Sequence, residues 1–157
     1  MKHQKKTFLD TGVLITAFQS PSGEGKKAFN IVTDPDRKFV VSDLLKLELL
    51  PKARFHKQVK EVTFYEDFFK SATLFIEINT ALVAKAIALA SEYDLAPCDA
   101  LHLCTAIEAQ ADEFITTEKP TKPFFRVQAL DLEIISLYAP PAKNEKIHPV
   151  NPTLTRA

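Results

Sequence analysis

Four acidic residues stand where an alternation of strands and helices could gather them. Asp10 follows the apolar run Thr7-Phe8-Leu9, Glu48 sits in the helical stretch after Lys38-Phe39-Val40-Val41, Asp99 opens an apolar helix, and Glu118 follows Phe114-Ile115-Thr116-Thr117. Carboxylates brought within a few ångströms repel one another, and at least one pKa must rise. A hard divalent cation such as Mg²⁺ or Mn²⁺ relieves that conflict, because it takes oxygen ligands and keeps several waters when a few carboxylates hold it. Those waters suit phosphodiester hydrolysis: one can act as nucleophile while the cation steadies charge on the phosphate. Each acid also has a plainer reading. Asp10 could be a turn residue, Asp99 a cap on its helix dipole, Glu48 a solvated helix residue, and Glu118 a loop acid before Lys119-Pro120.

The elements that would position these acids follow from periodicity. Thr7-Phe8-Leu9 reads as a strand ended by Asp10-Thr11-Gly12, so Asp10 falls at a strand's carboxyl end, where open α/β sheets bind ligands. Helices are expected from Val13 to Phe18 and from Glu24 to Val32, the second facing inward with Ala28, Ile31 and Val32. Ser42 is an N-cap candidate for a helix with Leu44, Leu45, Leu47 and Leu49 on its apolar face, ended or kinked at Pro51. Val59, Val62, Tyr65, Phe68, Phe69 and Ala72 recur at helical spacing, and Leu74 to Ile78 reads as a strand. Thr80 would cap a helix facing inward with Leu82, Val83, Ala86, Ile87, Ala90 and Tyr93, and Pro97 suits the first turn of the helix that runs to Ala109. Phe114 to Thr117 and Glu133 to Leu137 read as further strands. This alternation predicts a three-layer α/β/α sandwich with a mainly parallel sheet. The expected domain covers positions 1–140, with a polar, flexible tail over 141–157.

Composition narrows the function without naming it. The chain has 157 residues, suited to one domain, and its 46% hydrophobic content is too high for a disordered chain. Twenty basic and twenty acidic residues leave a net charge of +0, so any attraction for nucleic acid must come from local clustering. One such cluster is Lys46, Lys52, Arg54, His56, Lys57 and Lys60, opposed in its stretch only by Asp43 and Glu48; Lys46, Lys52 and Arg54 are candidate RNA contacts, although Lys46 and Lys52 could flank different sides. Cys98 and Cys104 lie six apart, about 600° around a helix, which suits neither a CxxC pair nor an obvious disulfide; both read as small buried hydrophobes. No stretch reaches the roughly 20 apolar residues of a membrane span, and the expected compartment is the reducing cytoplasm. His102, three residues after Asp99 on nearly the same face, reads as a packed or hydrogen-bonded histidine ahead of a general base.

The segments Phe8-Leu9-Asp10-Thr11-Gly12-Val13-Leu14, Ser42 to Leu50, Pro97-Cys98-Asp99-Ala100-Leu101-His102-Leu103 and Ala111 to Glu118 resemble, in order, the four signature blocks of PIN domains, most closely those of VapC-type toxins. The resemblance spans about positions 7 to 118. It implies a Mg²⁺- or Mn²⁺-dependent endoribonuclease, often dimeric, restrained by an antitoxin that places a side chain in the acidic pocket. By position, Asp10, Glu48 and Asp99 match the family's three principal metal-site acids. Glu118 stands where the fourth acid is normally Asp, one methylene shorter, which bears on whether a second metal binds. Thr11 matches the hydroxyl that follows the first acid; Thr117 and Ser42 could support neighbouring carboxylates, with helix capping or strand packing the favoured reading for both; and Asp112 matches a recurrent position read as structural.

Other readings fit less well. Asp10-Thr11-Gly12 also spells the aspartic-protease triplet, but that fold is β-rich and pairs two such loops, whereas helices follow here. Phosphoryl transfer onto Asp10 in the haloacid-dehalogenase manner would want an Asp at position 12, where Gly12 stands. The main rival is a catalytically silent PIN-like module that binds RNA or protein.

Overall fold

Strands form where short apolar runs are bracketed by polar or turn-forming residues: β1 (Lys5–Leu9), β2 (Arg37–Val41), β3 (Leu74–Phe75), β4 (Glu113–Thr116) and β5 (Glu133–Ser136). In the computed structural model these pair in parallel throughout, in the order β3-β2-β1-β4-β5. The structure describes residues 4–129 and 131–138, so the tail expected over 141–157 lies outside the described residues. The helices are α1 (Thr11–Gln19), α2 (Glu24–Val32), α3 (Asp43–Phe55), α4 (Val59–Ser71), α5 (Thr80–Tyr93) and α6 (Pro97–Glu108), with a 3₁₀ turn at Pro123–Arg126. The α/β sandwich expected from the sequence is the fold observed, and its wholly parallel sheet excludes the β-rich protease architecture.

Strand order is what creates a site. The chain moves outward from β1 to β2 and β3, then returns to β4 and β5 on the other side. Such a reversal opens a crevice at the carboxyl ends of the two strands that flank it, here β1 and β4. Their register is fixed by burial: Phe8 pairs with Phe114 and Leu9 with Ile115. The Phe8 and Phe114 rings stack 5.1 Å apart, and the Phe8 ring also meets His102 of α6 at 5.3 Å. Such aromatic pairs contribute about 0.5–1.5 kcal/mol beyond their burial.

The opposite end of the sheet is tied by charge. Glu113 is 3% exposed and accepts from Arg37 Nε and from the Thr7 hydroxyl, each at 2.8 Å, while Arg37 also pairs with Asp34 at 2.7 Å. Asp112, read as structural, accepts from the Lys6 backbone N–H at 2.8 Å and locks the start of β4 to β1.

Several local expectations change. α3 buries Leu45, Leu49 and Ala53, an i, i+4, i+8 stripe; Leu47, about 200° round from Leu45, is 67% exposed. Pro51 does not end α3, which continues to Phe55. Its missing N–H would have served the Leu47 carbonyl, on an exposed face where water can bond instead. Val59 is likewise exposed, as are Val83 and Ile87 of α5, because that helix buries only the Leu82 and Ala86 stripe. Asn79, not Thr80, caps α5, accepting from the Leu82 N–H at 2.9 Å. Cys104 is buried, but Cys98 is exposed in the first turn of α6, so only Cys104 behaves as a core hydrophobe. Among the described residues no helix is long and apolar enough to cross a membrane.

Candidate active site

The crevice collects acids from four separate segments. Asp10 is the N-cap of α1, and its Oδ1 accepts the Thr11 N–H at 2.8 Å. A carboxylate suits this place, because a helix N-terminus presents free N–H groups and positive potential. Its Oδ2 accepts from the Thr116 hydroxyl at 3.0 Å. Asp99 sits in the first turn of α6, started by Pro97, whose lack of an N–H is harmless there. Glu48 projects from α3, and Glu118 follows β4, its N–H donating to Thr116 Oγ1 at 3.1 Å. Thr116 thus ties the first acid to the strand that carries the fourth.

Electrostatics show the crowding. Burial raises the Asp10 pKa above its ordinary 3.8, with Glu48 adding to the rise; His102, Thr116 and the Thr11 N–H oppose it. Burial also raises Asp99, followed by the charges of Asp10 and Glu118, against His102 and Lys122. Asp10 therefore senses Glu48, and Asp99 senses both Asp10 and Glu118. Lys122 Nζ lies 3.7 Å from Glu118 and shields it on the loop side.

The Glu48 carboxylate is turned onto His102 Nε2. His102 is 1% exposed, and its Nδ1 has no hydrogen-bond partner. This supports the reading of His102 as a packed, hydrogen-bonded histidine. Among the described residues no three His, Cys, Asp or Glu side chains are arranged to hold a metal ion as they stand. The donor chemistry nonetheless fits a hard divalent cation: Asp10 feels the charge of Glu48, Asp99 feels those of Asp10 and Glu118, and Thr11 Oγ1 is buried beside Asp10 without a partner.

The supporting residues divide differently from expectation. Thr117 makes no hydrogen bond among the described residues; it packs on Gly12, where an added Cβ would lie 2.2 Å from Thr117 Oγ1. Gly12 thereby lets the first turn of α1 close onto the end of β4. Thr116, which sequence reasoning missed, makes the bonds instead; its signal was a polar residue ending an otherwise buried strand. Ser42 occupies the N-cap of α3 without capping, its hydroxyl buried and unpartnered.

The basic cluster splits in two. Lys52 lies on the Glu48 face of α3, whereas Lys46 and Arg54 line a separate groove. There Lys46 stands over the Phe69 and Phe75 rings, 5.6 and 5.5 Å from their centroids, and Arg54 pairs with Glu66 at 3.2 Å.

Comparison with known proteins agrees with this architecture. A chain of a toxin–antitoxin complex from Klebsiella pneumoniae is 25% identical with a TM-score of 0.62, the match covering 84% of this chain and 98% of that one. A chain of Rickettsia felis VapBC2, bound to a DNA fragment from its promoter, superposes with a TM-score of 0.63 at 17% identity over 83% of this chain and 99% of that one. DNA-bound VapBC from Salmonella typhimurium gives 0.61 at 18% identity, over 83% and 98%. No curated protein sequence matches the chain. The PIN domain family model matches residues 7–121, the span that contains all four acids and the strands that gather them. With sheet order, acid placement and family match in agreement, the chain belongs to the PIN-domain family.

Proposed function

We propose that this protein is a Mg²⁺- or Mn²⁺-dependent endoribonuclease acting as the toxin of a type II toxin–antitoxin pair. The observation that carries the reading is that Asp10 is raised by burial and by Glu48, and Asp99 by burial, Asp10 and Glu118, an arrangement unfavourable without a cation and useful with one. Asp10, Glu48, Asp99 and Glu118 would hold the ion, which when bound would supply a lowered pKa for a coordinated water and positive charge beside the scissile phosphate. Asp10 is held for that task by the Thr11 N–H and the Thr116 hydroxyl. Thr11 Oγ1, buried and free, can take a hydrogen bond from an incoming water and orient it. Lys52, on the Glu48 face of α3, would meet an RNA phosphate at the mouth of the crevice. Lys46 and Arg54 would serve RNA only by exchanging their present partners.

The assembly of similar chains in toxin–antitoxin complexes supports an antitoxin as partner, with cytoplasmic location and a homodimer as parts of the same reading. Calorimetric titration with Mn²⁺ and RNA cleavage with and without EDTA test it. Wild type should bind Mn²⁺ and cut RNA only without chelator; Asp99→Asn should abolish cutting while unfolding stays cooperative. RNA binding in EDTA with no turnover under any metal would instead identify a silent module.

A further inference from the structure

We propose that the cleft leading away from Glu48 between α1, α3 and α4 is a subsite for one base of single-stranded RNA, favouring bases whose pairing edge offers hydrogen-bond donors. The proposal rests on the ribonuclease reading and adds what the substrate must present. The cleft encloses about 810 Å³, ample for a nucleotide, and opens directly beside one of the acids. Along α3, Glu48, Lys52 and His56 follow at i, i+4 and i+8, so one face of the helix runs from the acidic crevice into the cleft. Lys52 makes no ion pair among the described residues, unlike Arg54, and is available to a phosphate of a strand leaving the crevice.

The interior has the two features that base recognition needs. Phe18, half-buried in the wall and backed by the Phe64 and Tyr65 rings at 5.7 and 6.4 Å, offers an aromatic surface for stacking. Glu61 supplies a fixed acceptor: the Tyr65 hydroxyl donates to its Oε1 at 2.6 Å, and Tyr65 is 1% exposed. An ionised carboxylate only accepts hydrogen bonds. It suits the adjacent N1–H and amino group of guanine, or the amino group of cytosine or adenine. Uracil sets its single N3–H between two carbonyl oxygens, which the carboxylate would repel. Gln19 and Gln58 line the same cleft and can bond either kind of edge. A peptide could also reach Glu61 through a basic side chain, but it would gain nothing from Lys52 in line with the acids, which favours RNA.

The test is fluorescence anisotropy of the full chain in EDTA with labelled single-stranded pentaribonucleotides carrying a central G or a central U among otherwise identical residues. Chelation removes cleavage from the readout, so a failure here is distinct from a failure to cut RNA in Mn²⁺. The expected result is at least tenfold tighter binding of the G oligomer. Glu61→Gln should narrow the preference to under threefold, and Lys52→Ala should weaken both oligomers alike. Tyr65→Phe, which frees Glu61 without removing it, should also narrow the preference and serves if Glu61→Gln fails to fold. Equal binding of G and U by wild type, or a preference untouched by either variant, would overturn the proposal.

Discussion

Replacing Asp99 by Asn should move the metal-free and metal-saturated proteins in opposite directions. Burial is the main reason the Asp99 pKa stands above 3.8, and the charges of Asp10 and Glu118 add to it. A carboxyl raised in this way binds its proton more tightly in the folded chain than in the unfolded one. Its contribution to stability is therefore full below 3.8 and is lost as pH rises through the folded value. At pH 7 the ionised side chain opposes the metal-free fold, offset in part by its place in the first turn of α6, where a helix end favours an anion by about 0.3–1 kcal/mol. Asn keeps the shape and removes the charge, so metal-free Asp99→Asn should melt above wild type at pH 7 and vary less between pH 4 and 8. Metal reverses the order. A ligand at a hundredfold its Kd stabilises by about 2.7 kcal/mol. In a domain of this size each kcal/mol shifts Tm by about 2–4 °C, so Mn²⁺ should raise the wild-type Tm by roughly 5–11 °C and the variant's far less. Thermal melts across that pH range, in EDTA and in Mn²⁺, measure both effects. A metal-free variant that melts below wild type, or an equal Mn²⁺ shift in the two proteins, would refute the account of the crevice.

Other perturbations probe the supports. His102→Leu removes the contact to Glu48 and should weaken Mn²⁺ binding about 10–100-fold while unfolding stays cooperative; tighter binding by calorimetry would show that His102 competes with the cation for Glu48. Thr116→Val preserves shape but strips Asp10 and the Glu118 N–H of their shared partner, at a cost of about 1–3 kcal/mol in chemical denaturation; an unchanged midpoint would mean that water replaces the hydroxyl. In Gly25→Ala the new Cβ would lie 1.9 Å from the Ser20 carbonyl oxygen, a backbone atom that cannot rotate away. The α1–α2 corner must shift, so the urea midpoint should fall by the equivalent of about 1–3 kcal/mol with little change in slope.

Much of this arrangement is legible in the residue order. Asp10 reads correctly as the end of a strand because an apolar β-prone triplet precedes it, and α2 begins and ends where its pattern does. Other features depend on distant neighbours. The strand expected over Leu74–Ile78 shrinks to Leu74–Phe75 because β2 ends at Val41, and only the Ile76 N–H finds one more bond, to the Val41 carbonyl. Thr116 and Thr117 differ only in which side of the strand end they occupy, and a register against β1 is needed to choose between them. The splitting of the basic cluster follows from the helical period, which separates Lys46 and Arg54 from Lys52. The cleft wall formed by α1 and α4, and the engagement of Glu48 by His102, have no signal in local sequence.

The hydroxyl bridge from Thr116 to Asp10 joins residues 106 positions apart, and β1, the first strand made, ends beside one of the last. While the polypeptide is being synthesised, Asp10 therefore lacks both its hydroxyl support and its fourth acid until β4 has left the ribosome and docked. A half-made molecule carries only two of the acids, Asp10 and Glu48, and no finished crevice. Under the proposed ribonuclease reading, the site stays unarmed through most of translation, and an antitoxin made alongside it has that interval in which to arrive.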